Sequence, residues 1–92
     1  MKKCIKIEFV VKNPQDFLKK IIAKEVKNKL FEGLAQVLPE SMVQICVCGE
    51  EDELDQLVDS LYAQVQEYKM ADMLVEPFLK DKDYRGVFRI LE

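Results

Sequence analysis

Three cysteines, Cys4, Cys46 and Cys48, are the most reactive side chains of this 92-residue chain, which contains no histidine. Without histidine the commonest general base is missing, so Ser-His and Cys-His catalysis and His-containing metal sites are excluded. Three thiolates could hold a soft metal such as zinc or copper(I). Cysteine also serves as a small hydrophobe, and no fourth ligand is in sight. The thiol cluster is therefore set aside, and neither a metal nor a cofactor is expected. An odd count, with two cysteines two residues apart, makes a poor disulfide framework and fits a reducing compartment.

Two other groupings carry less. Glu50, Glu51, Asp52 and Glu53 could meet calcium or magnesium, but consecutive acids at a helix start are dipole partners, and the alternate-ligand spacing of an EF-hand is missing. Arg85-Gly86-Val87-Phe88-Arg89 resembles an RNA-binding strand of the RRM type. It falls on the last strand rather than the third, in an acidic chain, and no nucleic-acid partner is expected.

The elements that must position these residues follow from periodicity. Cys4 to Val11 alternates, with Ile5, Ile7, Phe9 and Val11 on one face, as in a half-buried strand. Asn13-Pro14-Gln15-Asp16 opens a helix: Asn13 can accept from unpaired N–H groups, proline needs no donor, and Asp16 meets the positive helix end. Phe17, Leu18, Ile21, Ile22, Val26 and Leu30 follow helical spacing, with the end expected near Lys29. A second strand is placed at Leu34–Leu38, a turn at Pro39-Glu40-Ser41 and a third strand at Met42–Cys48, broken by Gly49. Leu54, Leu57, Val58, Leu61 and Val65 mark the buried stripe of a second helix. Met73–Glu76 is a fourth strand edged by Pro77, Lys80-Asp81-Lys82-Asp83 a charged loop, and Gly86–Leu91 a short last strand.

The order is thus β-α-β-β-α-β plus a strand. It predicts an α+β, ferredoxin-like sandwich with two helices on one face of an antiparallel sheet. First and third strands are neighbours in that arrangement, so Cys4 should share a sheet face with Cys46 and Cys48. At this length residues 1–92 are expected to be a single domain. No apolar run approaches the ~20 residues that span a bilayer. Lys6 and Glu8 interrupt the apolar start, so it reads as a strand and not a signal peptide. A cytoplasmic protein with no membrane partner is expected.

Net charge is −3, but residues 1–46 carry +4 and residues 47–92 carry −7. The first helix should present a basic face and the second an acidic one. These read as solvated faces, or as a polar surface orienting a protein partner or a second copy of the chain. A sheet face left uncovered, bearing Cys4, Met42, Cys46 and Cys48, would favour self-association.

The stretch from Gly33 to Leu61 resembles the middle of an acylphosphatase. Gly33 stands where that family begins its second strand. Leu38-Pro39 matches its turn entry, Val43 and Ile45 its third strand, Gly49 its closing glycine, and Leu54, Leu57 and Leu61 its helix stripe. Ala71–Glu76 resembles the fourth strand, and Tyr84 with Gly86 the final Tyr-x-Gly-Phe segment.

The resemblance implies hydrolysis of carboxyl-phosphate anhydrides. A V-x-G-V-x-F-R loop would wrap the phosphate with backbone N–H groups and an arginine, while an asparagine on the second strand orients water. This chain departs at each point. Its loop is Val11-Lys12-Asn13-Pro14-Gln15-Asp16-Phe17, without glycine and with an acid where phosphate would sit. Leu18 follows Phe17 in place of arginine, Val37 stands for the asparagine, and Ser41 replaces the turn glycine. Lys19 and Lys20 are nearby, but lysine offers a point charge rather than a planar fork. The frame without the chemistry points to a noncatalytic interaction or regulatory module. The alternative is a hydrolase in which Lys12, Asn13, Lys19 and Lys20 bind phosphate, and Asn13 or Gln36 substitutes for the missing amide.

Overall fold

Alternation at the start of the chain builds β1 (Lys2–Val10), whose odd-numbered residues Ile5, Ile7 and Phe9 are buried, as is Val11 just beyond it. The structure is a computed structural model and describes residues 2–27, 29–77 and 86–91. The remaining elements are a helix α1 over residues 14–26, β2 (Glu32–Leu38), β3 (Met42–Glu50), α2 (Glu51–Tyr68), β4 (Ala71–Pro77) and β5 (Phe88–Ile90). The strands form one sheet in the order β4-β1-β3-β2-β5. The first four pair antiparallel and β5 runs parallel to β2, so the sheet is mixed. This is the ferredoxin-like α+β sandwich expected from the element order, with the last strand added at the β2 edge.

Both helices cover one face. Phe17, Leu18 and Ile22 of α1 and Leu54, Leu57 and Leu61 of α2 pack with Ile7, Phe9, Ala35, Val43, Ile45 and Val47 of the sheet in one core. Val58 and Val65 of the expected stripe are only half-buried. Two residues outside the periodic segments complete the core, Phe31 before β2 and Met70 after α2.

Several boundaries differ from expectation for local reasons. Helix α1 stops at Val26, short of Lys29, because Lys27 turns to extended backbone with ψ 134°. Its middle, Leu18–Ile22, is a π-helical turn in which the Ala23 N–H donates to the Leu18 carbonyl. Gly49 does not break β3 but lies within it, opposite Lys3. A Cβ there would meet the Phe31 ring at 2.7 Å, so the glycine makes room for a core aromatic. Gly33 has φ 138°, and a Cβ on it would run into the Cys46 carbonyl oxygen. The charged loop Lys80–Asp83, Tyr84 and Arg85 lie outside the described residues.

Among the described residues no helix lies on the other sheet face, and polar side chains cross it. Gln36 donates to Gln44 at 2.9 Å, Gln44 donates to Glu8 at 2.8 Å, and Lys6 pairs with Glu76 at 3.2 Å. Glu76, by hydrogen bond and charge, holds the Lys6 ammonium above its ordinary pKa, and Glu8 adds to this. The apolar area expected on this face is therefore divided by polar rows.

The cysteines require the main correction. Register places Cys4 opposite Cys48, and the two form a disulfide across β1 and β3. Cys46, opposite Lys6, lies outside the bridge. Period-two alternation put all three on the open face, as expected. The inference from odd count to a wholly reduced set fails because pairing depends on cross-strand register, and two of the three stand directly opposed.

Candidate functional site

The loop between β1 and α1 is set by two backbone contacts. The Val11 N–H donates to the Ser41 carbonyl at 3.2 Å, tying the end of β1 to the β2–β3 turn. The Phe17 N–H donates to the Asn13 carbonyl at 3.1 Å and closes the first helical turn. Asn13 holds this geometry in the left-handed region, φ 57°, and its side chain makes no capping hydrogen bond. The cap expected from its amide is therefore supplied by backbone conformation, which asparagine tolerates better than most residues.

Beside this loop is an opening of about 160 Å³ lined by Lys12, Asn13, Asp16, Phe17, Lys20, Ile21 and Tyr68. Its floor is aromatic. Phe17 meets Phe9 on one side and Tyr68 on the other, both edge-to-face with ring centroids 5.3 Å apart. Its rim is charged and exposed. Lys20 lies 3.8 Å from Asp16, one helical turn away, so part of its charge is already met. Pro14 offers no N–H to an anion.

The structure thus brings Lys12, Asn13 and Lys20 together, with Asp16 among them. Lys19 is exposed and is not part of that lining. Leu18 is fully buried in the core and is not among the residues lining the loop opening. Val37 pairs with Val43 in β3 and packs against the core. Gln36 projects from the opposite, helix-free face, where it is hydrogen-bonded to Gln44, so it cannot stand in for a water-orienting amide at the loop. Ile21, which helical spacing assigns to the buried stripe, and Tyr68 near the end of α2 both belong to the opening. The one available signal was their place on the two helices that flank the loop.

Among the described residues no group of three or more cysteine, aspartate or glutamate side chains is arranged to hold a metal ion. No helix among them is long and apolar enough to cross a membrane.

No family model and no curated protein matches the sequence. Solved structures do. An acylphosphatase from Coxiella burnetii superimposes with a TM-score of 0.78 at 21% identity, over 98% of this chain and 93% of that one. An acylphosphatase from Bacillus subtilis does so with a TM-score of 0.75 at 17% identity, over 100% of both chains. This is an acylphosphatase-like fold. Full-length HypF, in a phosphate- and nucleotide-bound form, contains a similar part: TM-score 0.70, 14% identity, 100% of this chain and 12% of that one. At these identities the likeness concerns the acylphosphatase-like frame and leaves the chemistry to the residues at the loop.

Proposed function

We propose that residues 1–92 are one noncatalytic acylphosphatase-like domain, acting in the cytoplasm as a small interaction or regulatory module with a protein partner. What carries this reading is the position that follows Phe17. Where the family places an arginine, this chain has Leu18, committed to the core at 0% exposure. Two further departures support it. Asp16 puts negative charge into the loop opening, and Val37 offers no hydrogen bond to a water. A phosphoryl group entering here would meet two mobile ammonium groups and a carboxylate, without a planar fork or glycine nest. A cytoplasmic setting makes the Cys4–Cys48 bridge a conditional bond, since such compartments keep thiols reduced.

The test is phosphate release from acetyl phosphate by the purified chain. No more release than in a buffer control is expected. Turnover that disappears on Asn13→Ala or Lys20→Ala would overturn the proposal.

The hydrolase reading keeps one observation in its favour, the convergence of Lys12, Asn13 and Lys20 on one opening. It requires saturable binding of inorganic phosphate at that opening.

A further inference from the structure

We infer that the Cys4–Cys48 bridge is a thiol–disulfide exchange site for low-molecular-mass thiols, in which Cys48 is attacked and Cys4 is released. The site lies on the helix-free face at the start of β1. The loop opening lies beyond the other end of that strand, roughly 27 Å of extended chain away at ~3.4 Å per residue.

Access comes first. An opening of about 200 Å³ is lined by Lys2, Leu30, Glu32, Cys48 and Gly86. Cys48 lines it with 4% of its surface exposed in all, Cys4 is half-buried, and Leu30 at the edge of the opening is 84% exposed. The opening admits a small thiol to the Cys48 side of the bridge, whereas a folded protein domain could not enter a space of that size.

Charge then distinguishes the two sulfurs. Lys2, Cys4 and Lys6 alternate along β1 and so share one face, with the cysteine between two ammonium groups. Cys48 instead has Glu32 directly across from it on β2. The other charged or titratable groups of this face are Glu50 opposite Lys2, Cys46 opposite Lys6, Glu8 next to Lys6 along the same face of β1, Glu76 paired with Lys6, and Arg89 on β5. Glu76 and Glu8 offset part of the Lys6 charge and Glu50 part of that of Lys2, yet Cys48 still faces a carboxylate where Cys4 is flanked by two lysines. A thiolate forms more readily beside cations, and a sulfur that carries negative charge easily is the better leaving group.

The step balances without an outside oxidant. A thiolate, RS⁻, attacks the Cys48 Sγ. The Cys4–Cys48 bond breaks, a Cys48–SR bond forms, and Cys4 leaves as a thiolate between Lys2 and Lys6. A second RS⁻ then attacks the sulfur of R in the mixed disulfide, giving RSSR and the Cys48 thiolate, which takes a proton from solvent. Two thiols are oxidised and one bridge is reduced; the reverse sequence, started by RSSR, restores it.

The experiment uses the full chain carrying Cys46→Ser, so that only the two sulfurs of interest react. The folded, oxidised protein is treated with 2-mercaptoethanol, which brings no charge beyond its thiol. Samples are quenched in acid and mapped by peptide mass. The expected result is reduction in the folded state, with the transient adduct on Cys48. Changing Lys2→Gln and Lys6→Gln together should slow reduction several-fold, with only a slight fall in melting temperature from loss of the Lys6–Glu76 pair. Should that variant not fold, added salt should slow the reaction of the lysine-containing chain in the same sense. A bridge that resists reduction until denaturant is added would overturn the inference. So would an adduct found on Cys4, or a rate indifferent to both lysines and salt.

Discussion

The two ends of β1 differ in how their chemical groups are committed. Beyond Val10, where a related frame would hold a phosphoryl group, the decisive position is spent on packing: Leu18 is in the core and Val37 lies against it. Around Cys4, at the other end, cations and sulfur stand on an open face with a route to solvent. On the readings proposed above, the same strand carries a loop without anion chemistry at one end and a reactive pair at the other. A shared frame therefore locates a loop without fixing its chemistry, and a position unremarkable in that frame can acquire chemistry through strand register alone.

The largest expected effect comes from forcing the first end back towards the family pattern. Leu18→Arg should not restore activity. It buries an unpaired guanidinium in a filled core and should cost on the order of 4 kcal/mol, enough to unfold much of the chain. Urea denaturation followed by circular dichroism measures this. A folded variant that hydrolyses acetyl phosphate would break the comparison, because only the identity of one side chain would then separate the loop from its relatives.

A smaller effect is expected at the second end. Replacing Cys4 and Cys48 together by serine removes a cross-link between residues 44 apart in sequence. The loss should be about 3–4 kcal/mol relative to the oxidised chain. Equal urea midpoints for the oxidised chain and the double variant would remove the energetic distinction between the two ends.

The smallest is a pH effect on the open face. Because Glu76 raises Lys6 above 10.5, the pair contributes stability that is fully present below the ordinary lysine range and is lost as pH rises through the folded-state value. Lys6 is about a third accessible and its ammonium is solvated, so the change should be slight. Melting temperatures followed across alkaline pH, with Lys6→Gln as reference, read it. The two proteins should converge above the lysine range, and a gap that widens with pH would contradict the sign.

Much of this was legible in the sequence because short-range rules governed it. Alternation identified the buried face of β1 and of β3, and Asn13-Pro14 marked the start of α1 to the residue. What was not legible depended on contacts made across the fold. Gly49 reads as a strand breaker, yet it stays in β3 because the Phe31 ring fills the space where its side chain would be. Phe31 and Met70 belong to the core without belonging to any periodic stripe. Cys4 and Cys48 could be placed on one face from period two, but their direct opposition required the register of β1 on β3, which no local pattern encodes. At the loop, residue types revealed the departures from the family. The aromatic floor of Phe17 and Tyr68 emerged only from the packing of α1 against α2, whereas the approach of Lys20 to Asp16 is a local pair four residues apart within α1.

The central claim is that the β1–α1 loop has the position of a phosphate site without its function. Titration of the isotope-labelled chain with inorganic phosphate, followed by amide chemical shifts in NMR, tests it most directly. Shifts at residues 12–20 should be small, linear in phosphate and no larger than those produced by chloride at equal ionic strength. Saturable shifts clustered at Asn13–Lys20 would contradict the account, since they would show an anion held by the loop despite Pro14, Asp16 and Leu18.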